Sequence, residues 1–167
     1  MQNRIVKSAL QNFHFFGLLL SAKFLLSTQK YGILVFMSLL ISVFIIFGLY
    51  RTAVRFRDTE CDGTIKFSQA FLYIFILYLF GTVISSIVIF IYTQFINKEF
   101  LDLSLSVIMK TYESLKIHID NQTYSVIERL FRPLPYSLLN IVASLFTATF
   151  WSLILAGFVK MEKSIFE

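Results

Sequence analysis

The sequence predicts an all-α integral membrane protein: four transmembrane helices, with an extracytoplasmic amphipathic helical hairpin between the third and fourth. Three observations carry this. Hydrophobic residues make up 57% of the chain and charged residues 15%, where a soluble domain carries about a quarter charged residues. The run from Phe67 to Ile96 contains no charge and is bracketed by Lys66 and Lys98; it exceeds the roughly 20 residues needed to cross a bilayer. Three more apolar runs accompany it, two before and one after, so residues 1–167 form a single membrane domain.

The first transmembrane helix spans about 5–27. The polar start, with Arg4 and Lys7, lacks the small-residue cleavage pattern of a secretory signal, so the run is expected to stay as an anchor. Lys7, Gln11, His14 and Ser21 recur at helical spacing and share one stripe. Polar groups in lipid face a bundle interior or a water-filled cavity. The plain reading of this stripe is inter-helix packing, with Lys23 snorkelling to an interface. The sharper reading is a path for protons or small molecules past His14 and Lys23.

A short connection, Ser27-Thr28-Gln29-Lys30-Tyr31, makes the first two helices antiparallel neighbours. The second spans about 32–50, is almost wholly aliphatic and aromatic, and has Tyr31 and Tyr50 as interfacial brackets. Residues 51–66 read as a cytoplasmic loop of mixed charge, closed by the Asp62-Gly63 turn. Asp58, Glu60, Cys61 and Asp62 cluster there without a histidine and without zinc-ligand spacing, so a solvated loop explains them. With one cysteine, an internal disulfide framework is excluded.

The third helix covers about 67–96. Its Gly81 and Ser85 form a small-xxx-small pair that lets another backbone approach. Residues 98–136 form the extramembrane segment. Leu101, Leu105, Ile108, Tyr112, Leu115 and Ile119 define one apolar stripe of an amphipathic helix. Asp120 to Thr123 interrupts it, and Ser125 with Glu128 has the capping-box pattern for a second short helix. The fourth transmembrane helix spans about 138–159 and carries Asn140, Ser144, Ala148, Ser152 and Ala156 at a constant four-residue step. That ladder of small residues is the clearest packing face in the chain, toward the third helix or toward another chain.

Basic residues are densest beside helix ends on the side holding Arg4, Lys7, Arg51, Arg55, Arg57 and Lys66. The positive-inside rule therefore places both termini in the cytoplasm. The net charge of +5 is spread without a basic block, which argues against nucleic acid as a partner.

The order of features resembles the bacterial membrane family known as domain of unknown function 4199. The residues that carry the resemblance are Lys7-Ser8-Ala9 with Gly17, the entry Gly63-Thr64-Ile65-Lys66-Phe67-Ser68-Gln69-Ala70-Phe71, Lys98-Glu99-Phe100-Leu101, and the exit Ala156-Gly157-Phe158-Val159-Lys160. Asn97-Lys98 stands where the family pattern has Asp-Pro. The resemblance implies a four-helix inner-membrane protein with no established activity, and a membrane glycosyltransferase as a candidate partner.

No carboxylate lies within a predicted span, and no nucleophile–base or phosphate-loop pattern occurs. The expectation is a non-catalytic membrane subunit or scaffold without a cofactor. It would associate with a protein partner or a second copy through the fourth helix and the hairpin. The alternative is a small homo-oligomeric channel or transporter lined by the polar stripe of the first helix.

Overall fold

The computed structural model describes residues 2–29 and 31–161. Six α-helices follow one another: α1 (Gln2–Ser27), α2 (Gly32–Glu60), α3 (Phe67–Ile91), α4 (Glu99–Ser114), α5 (Asn121–Leu130) and α6 (Pro133–Val159). The last turn of α3 widens into a π-turn, Tyr92–Ile96, in which the Asn97 N–H reaches the Tyr92 carbonyl at 2.8 Å. Four helices, α1, α2, α3 with its π-turn, and α6, are long and apolar enough to cross a membrane.

The centre of the bundle is α3. α1 packs along one side of it and α6 along another, while α2 rests mainly on α1. α1 and α3 run in the same direction, with α2 and α6 against them. Lipid provides no hydrophobic drive for helix pairing, so close packing must supply the attraction. It does so at Gly17 and Gly81. A methyl group added at Gly81 would lie 3.2 Å from the Gly17 nitrogen and 3.2 Å from Phe16 Cβ. One added at Gly17 would lie 2.8 Å from Ile84 Cβ. Phe16 is fully buried there, and its ring fills the space beside Gly48 of α2.

The small-residue ladder lies against α3. Ala148, Ser152 and Ala156 are fully buried, and the Asn140 side-chain N–H donates to Ser86 Oγ at 2.9 Å. Ser152 Oγ is buried there and has no hydrogen-bond partner among the described residues. Gly81 faces α1, so the small-xxx-small pair is divided between two neighbours.

Two spans differ from the expected ones. The stretch from Arg51 to Glu60 is helix, a continuation of α2, because Ile45, Leu49, Ala53 and Phe56 stay buried at helical spacing while Arg51 and Arg55 point outward. Chain reversal waits for Asp62 and Gly63, both at positive φ. α6 begins at Pro133, ahead of Leu138, since proline lacks only an N–H that the first turn leaves unpaired anyway.

The end of the bundle where α1 begins and α6 ends is closed by backbone pairing. Ile65 and Met161 exchange two hydrogen bonds, at 2.9 and 3.1 Å. Arg57 donates to the Val159 carbonyl at 3.3 Å and sits 2.7 Å from Asp58. A guanidinium at the carbonyl end of α6 complements the helix dipole.

At the opposite end, α4 touches the π-turn and α5 touches α6. An aromatic cluster joins Phe24 of α1, Tyr92 of the π-turn, Phe100 of α4 and Tyr136 of α6, with successive rings 5.7–6.4 Å apart. α4 stops at Ser114, where Lys116 turns the chain with φ +56°, so Leu115 and Ile119 fall beyond the amphipathic stripe. α5 is capped by Asp120, which accepts from the Thr123 N–H at 3.4 Å. Ser125 is therefore inside the helix and bonds the Gln122 carbonyl.

Overpacking the α3–α6 face should cost about 1–3 kcal/mol. Ala148→Phe is expected to lower the melting temperature in detergent, and Leu145→Phe, on an exposed position, to change it far less. Ser152→Ala should be neutral or mildly stabilising, because the hydroxyl it removes has no partner. Equal melting of Ala148→Phe and the parent would show that this face is not packed.

Candidate functional site

Because α1 and α6 both lie on α3, a groove remains between them. It encloses a cavity of about 260 Å³ whose floor is Tyr78, Thr82, Ser85 and Ile89 of α3. Lys23 and Phe24 of α1 form one wall, and Asn140, Ser144 and Thr147 of α6 the other. A shallower extension continues past Leu139 to Tyr136 and ends beneath the aromatic cluster.

The polar groups of this groove divide into satisfied and unsatisfied sets. Thr82 donates to the Tyr78 carbonyl at 3.1 Å, Ser27 to the Phe24 carbonyl, and one Asn140 N–H to Ser86. Among the described residues, the hydroxyls of Tyr78, Ser85 and Ser144 make no hydrogen bond, and the Lys23 ammonium makes no ion pair. Tyr78 and Ser85 are 7% and 4% exposed and line this cavity, which opens on one side. Among the described residues, no carboxylate lines it. The groove therefore offers hydrogen-bond donors and one positive charge to an occupant rich in acceptors.

A second cavity, about 390 Å³, lies between the first half of α1, the last turns of α2 and α3. Ser8, Gln11 and Asn12 face Thr52, Arg55, Thr59 and Glu60 across it, above Tyr73, which stacks on Phe56 at 4.2 Å. Its charges are of both signs, as suits a hydrated crevice.

The sequence-derived candidates are thus distributed over different surroundings. Of the first-helix set, Lys7, Gln11 and His14 are exposed, Gln11 at the second cavity. Ser21 is buried and donates back to the Gly17 carbonyl at 2.7 Å. Lys23 joins Ser85, Asn140 and Ser144 in the groove, whereas Gly81, Ala148, Ser152 and Ala156 serve packing. Tyr78 is among the groove residues that had not been singled out from the sequence. Its signal was present: with Thr82, Ser85 and Ile89 it forms one helical stripe on α3.

Among the described residues no group of three His, Cys, Asp or Glu side chains could hold a metal ion. Cys61 is buried, and burial, with Glu60 and Asp62 beside it, pushes its thiol above the usual value near 9.0.

Fold and groove together define a multi-pass helical membrane protein with a polar groove between spanning helices. The model of the family described as protein of unknown function (DUF4199) matches residues 14–161, and the chain belongs to that family. Comparison with curated proteins and with solved structures gives no match.

Because the thiolate is the reacting form, Cys61 should be alkylated slowly at neutral pH in the folded protein. The rate is expected to climb only as the pH rises beyond its ordinary pKa, and to jump on unfolding. Labelling at neutral pH as fast as in the unfolded chain would contradict the burial of this side chain.

Proposed function

We propose that this protein is a non-catalytic subunit or scaffold of an assembly in the bacterial inner membrane. Both termini are cytoplasmic in this reading, and α4 and α5 form the extracytoplasmic segment. The observation that carries it is His14. It lies near the midpoint of α1, on the outside of the bundle, with exposed Phe15 and Leu18 beside it. An imidazole facing acyl chains at that depth is costly, and intramembrane polar groups find protein or water partners. A second membrane protein covering this face of α1 removes the cost. α4 and α5 support the same reading, because Leu103, Val107 and Val126 are exposed while Leu101 is buried against the bundle. Their segment is balanced in charge, which suits a protein surface better than an anionic bilayer surface. The family resemblance makes a membrane glycosyltransferase one candidate for that partner.

A second reading has the same starting point. A ring of copies turning Gln11 and His14 inward would line a homo-oligomeric channel or transporter. On the α6 ladder, Ala148, Ser152 and Ala156 are buried within this chain, whereas Asn140 and Ser144 line the open groove.

Extraction in mild detergent, followed by sizing and mass spectrometry of the co-purifying chains, separates the two. A defined heteromer, cross-linked through a cysteine placed at His14, is the expected result. A lone symmetric oligomer that carries flux in liposomes would favour the channel, and a monomer without partners would contradict both. Orientation is tested in a Cys61→Ala background, since buried Cys61 is a poor reporter of sidedness. Ser114→Cys and Ser125→Cys should react with an impermeant reagent outside intact cells, and Thr59→Cys should not. The opposite pattern would invert the topology.

A further inference from the structure

We infer that the groove between α1 and α6 is a binding site for a phosphate group, that of a glycerophospholipid entering from the bilayer. The inference stands apart from the partner protein proposed above and needs only this chain.

Four features lead to it. The first is charge. Among the described residues, Lys23 is the one ionisable cation lining the cavity, no carboxylate opposes it there, and none forms an ion pair with it. A lysine ammonium is a compact point charge suited to phosphate oxygens.

The second is unsatisfied donor capacity. Ser85 lies on the floor and the remaining Asn140 N–H on the wall facing that of Lys23, and Ser144 and Tyr78 lie deeper, along α6 and α3. Donors that have no protein acceptor in a half-open groove are completed by a ligand or by water. A phospholipid presents acceptors in the same order, phosphate oxygens first and acyl ester carbonyls below. A free phosphate ion would leave the deeper donors unmatched.

Depth is the third feature. Lys23 precedes the end of α1 by one turn, about 6 Å along the axis, which puts its ammonium within reach of the headgroup layer.

The fourth is access. The floor of the groove is α3 and its walls are two membrane-spanning helices, so its open side faces lipid. On α6, the stripe next to the groove carries Leu139, Phe146 and Phe150, all exposed, as a path for an acyl chain.

The experiment is lipid retention by the purified full chain, measured by native mass spectrometry and by melting temperature. Three probes are used: phosphatidylglycerol, a diacylglycerol with the same acyl chains, and inorganic phosphate. Phosphatidylglycerol should be retained at one per chain and raise the melting temperature. The diacylglycerol should do neither, and millimolar phosphate should not displace the phospholipid. Lys23→Gln is expected to weaken retention about tenfold, the scale of one charge-assisted contact. Tyr78→Phe, which removes only a hydroxyl, should weaken it about two- to fivefold and serves should Lys23→Gln fail to fold. Lys7→Gln, at the other end of α1, should retain lipid like the parent.

Equal retention by the parent, Lys23→Gln and Tyr78→Phe would overturn the assignment, leaving the groove to water. So would diacylglycerol binding as tightly as the phospholipid. Displacement by inorganic phosphate would assign the site to a soluble anion and overturn the lipid as its source.

Discussion

The contact of Phe16 and Gly17 with Gly81 is the constraint on which the remaining arrangement depends. Within a bilayer, apolar side chains gain little by leaving lipid for one another, so helices associate where their surfaces fit closely enough for dispersion to accumulate. Glycine at both sides of the α1–α3 crossing brings the two backbones together, and Gly48 admits the Phe16 ring from the third side. One buried aromatic residue thereby fixes α1 relative to both α2 and α3.

The groove follows from that geometry. With α1 held on one flank of α3 by glycines and α6 held on another by Asn140, Ala148, Ser152 and Ala156, the two flanking helices leave a cavity between them, floored by the α3 stripe of Tyr78, Thr82 and Ser85. Close packing at the crossing and on the ladder is what permits a polar cavity beside them. At the end of the groove, the cluster of Phe24, Tyr92, Phe100 and Tyr136 ties α4 to α1 and α6. The π-turn contributes by presenting Tyr92, whose hydroxyl accepts from Thr28 and from Asn97, each at 3.2 Å.

The helical membrane class was legible because long uncharged runs have few alternatives. On α6 the constant step marks one stripe, of which Ala148, Ser152 and Ala156 are buried and Asn140 and Ser144 line the groove. The partner of that stripe was not legible, since small residues specify a close approach and not an address. Gly17 and Gly48 gave no periodic signal at all; single glycines in apolar runs acquire meaning only when a second helix crosses there. The continuation of α2 past Tyr50 was obscured by Arg51, Arg55 and Arg57, although Leu49, Ala53 and Phe56 kept the helical spacing. The polar groove was the least legible feature. Lys23, Ser85, Asn140 and Ser144 were each noticeable, yet on three helices whose rotations the sequence does not state.

The direct test of the account is the melting temperature of three glycine-to-alanine variants in one detergent. Alanine is the better helix former by about 1 kcal/mol, so at a glycine with free space the substitution should stabilise or change nothing. Gly157 has nothing within 4 Å of an added methyl group and is the reference. At Gly17, where that methyl would press on Ile84 Cβ at 2.8 Å, and at Gly81, against the α1 backbone, the sign should reverse. Losses of about 1–3 kcal/mol are expected there. If Gly17→Ala and Gly81→Ala melt as high as Gly157→Ala, the close crossing of α1 and α3 does not hold this bundle together.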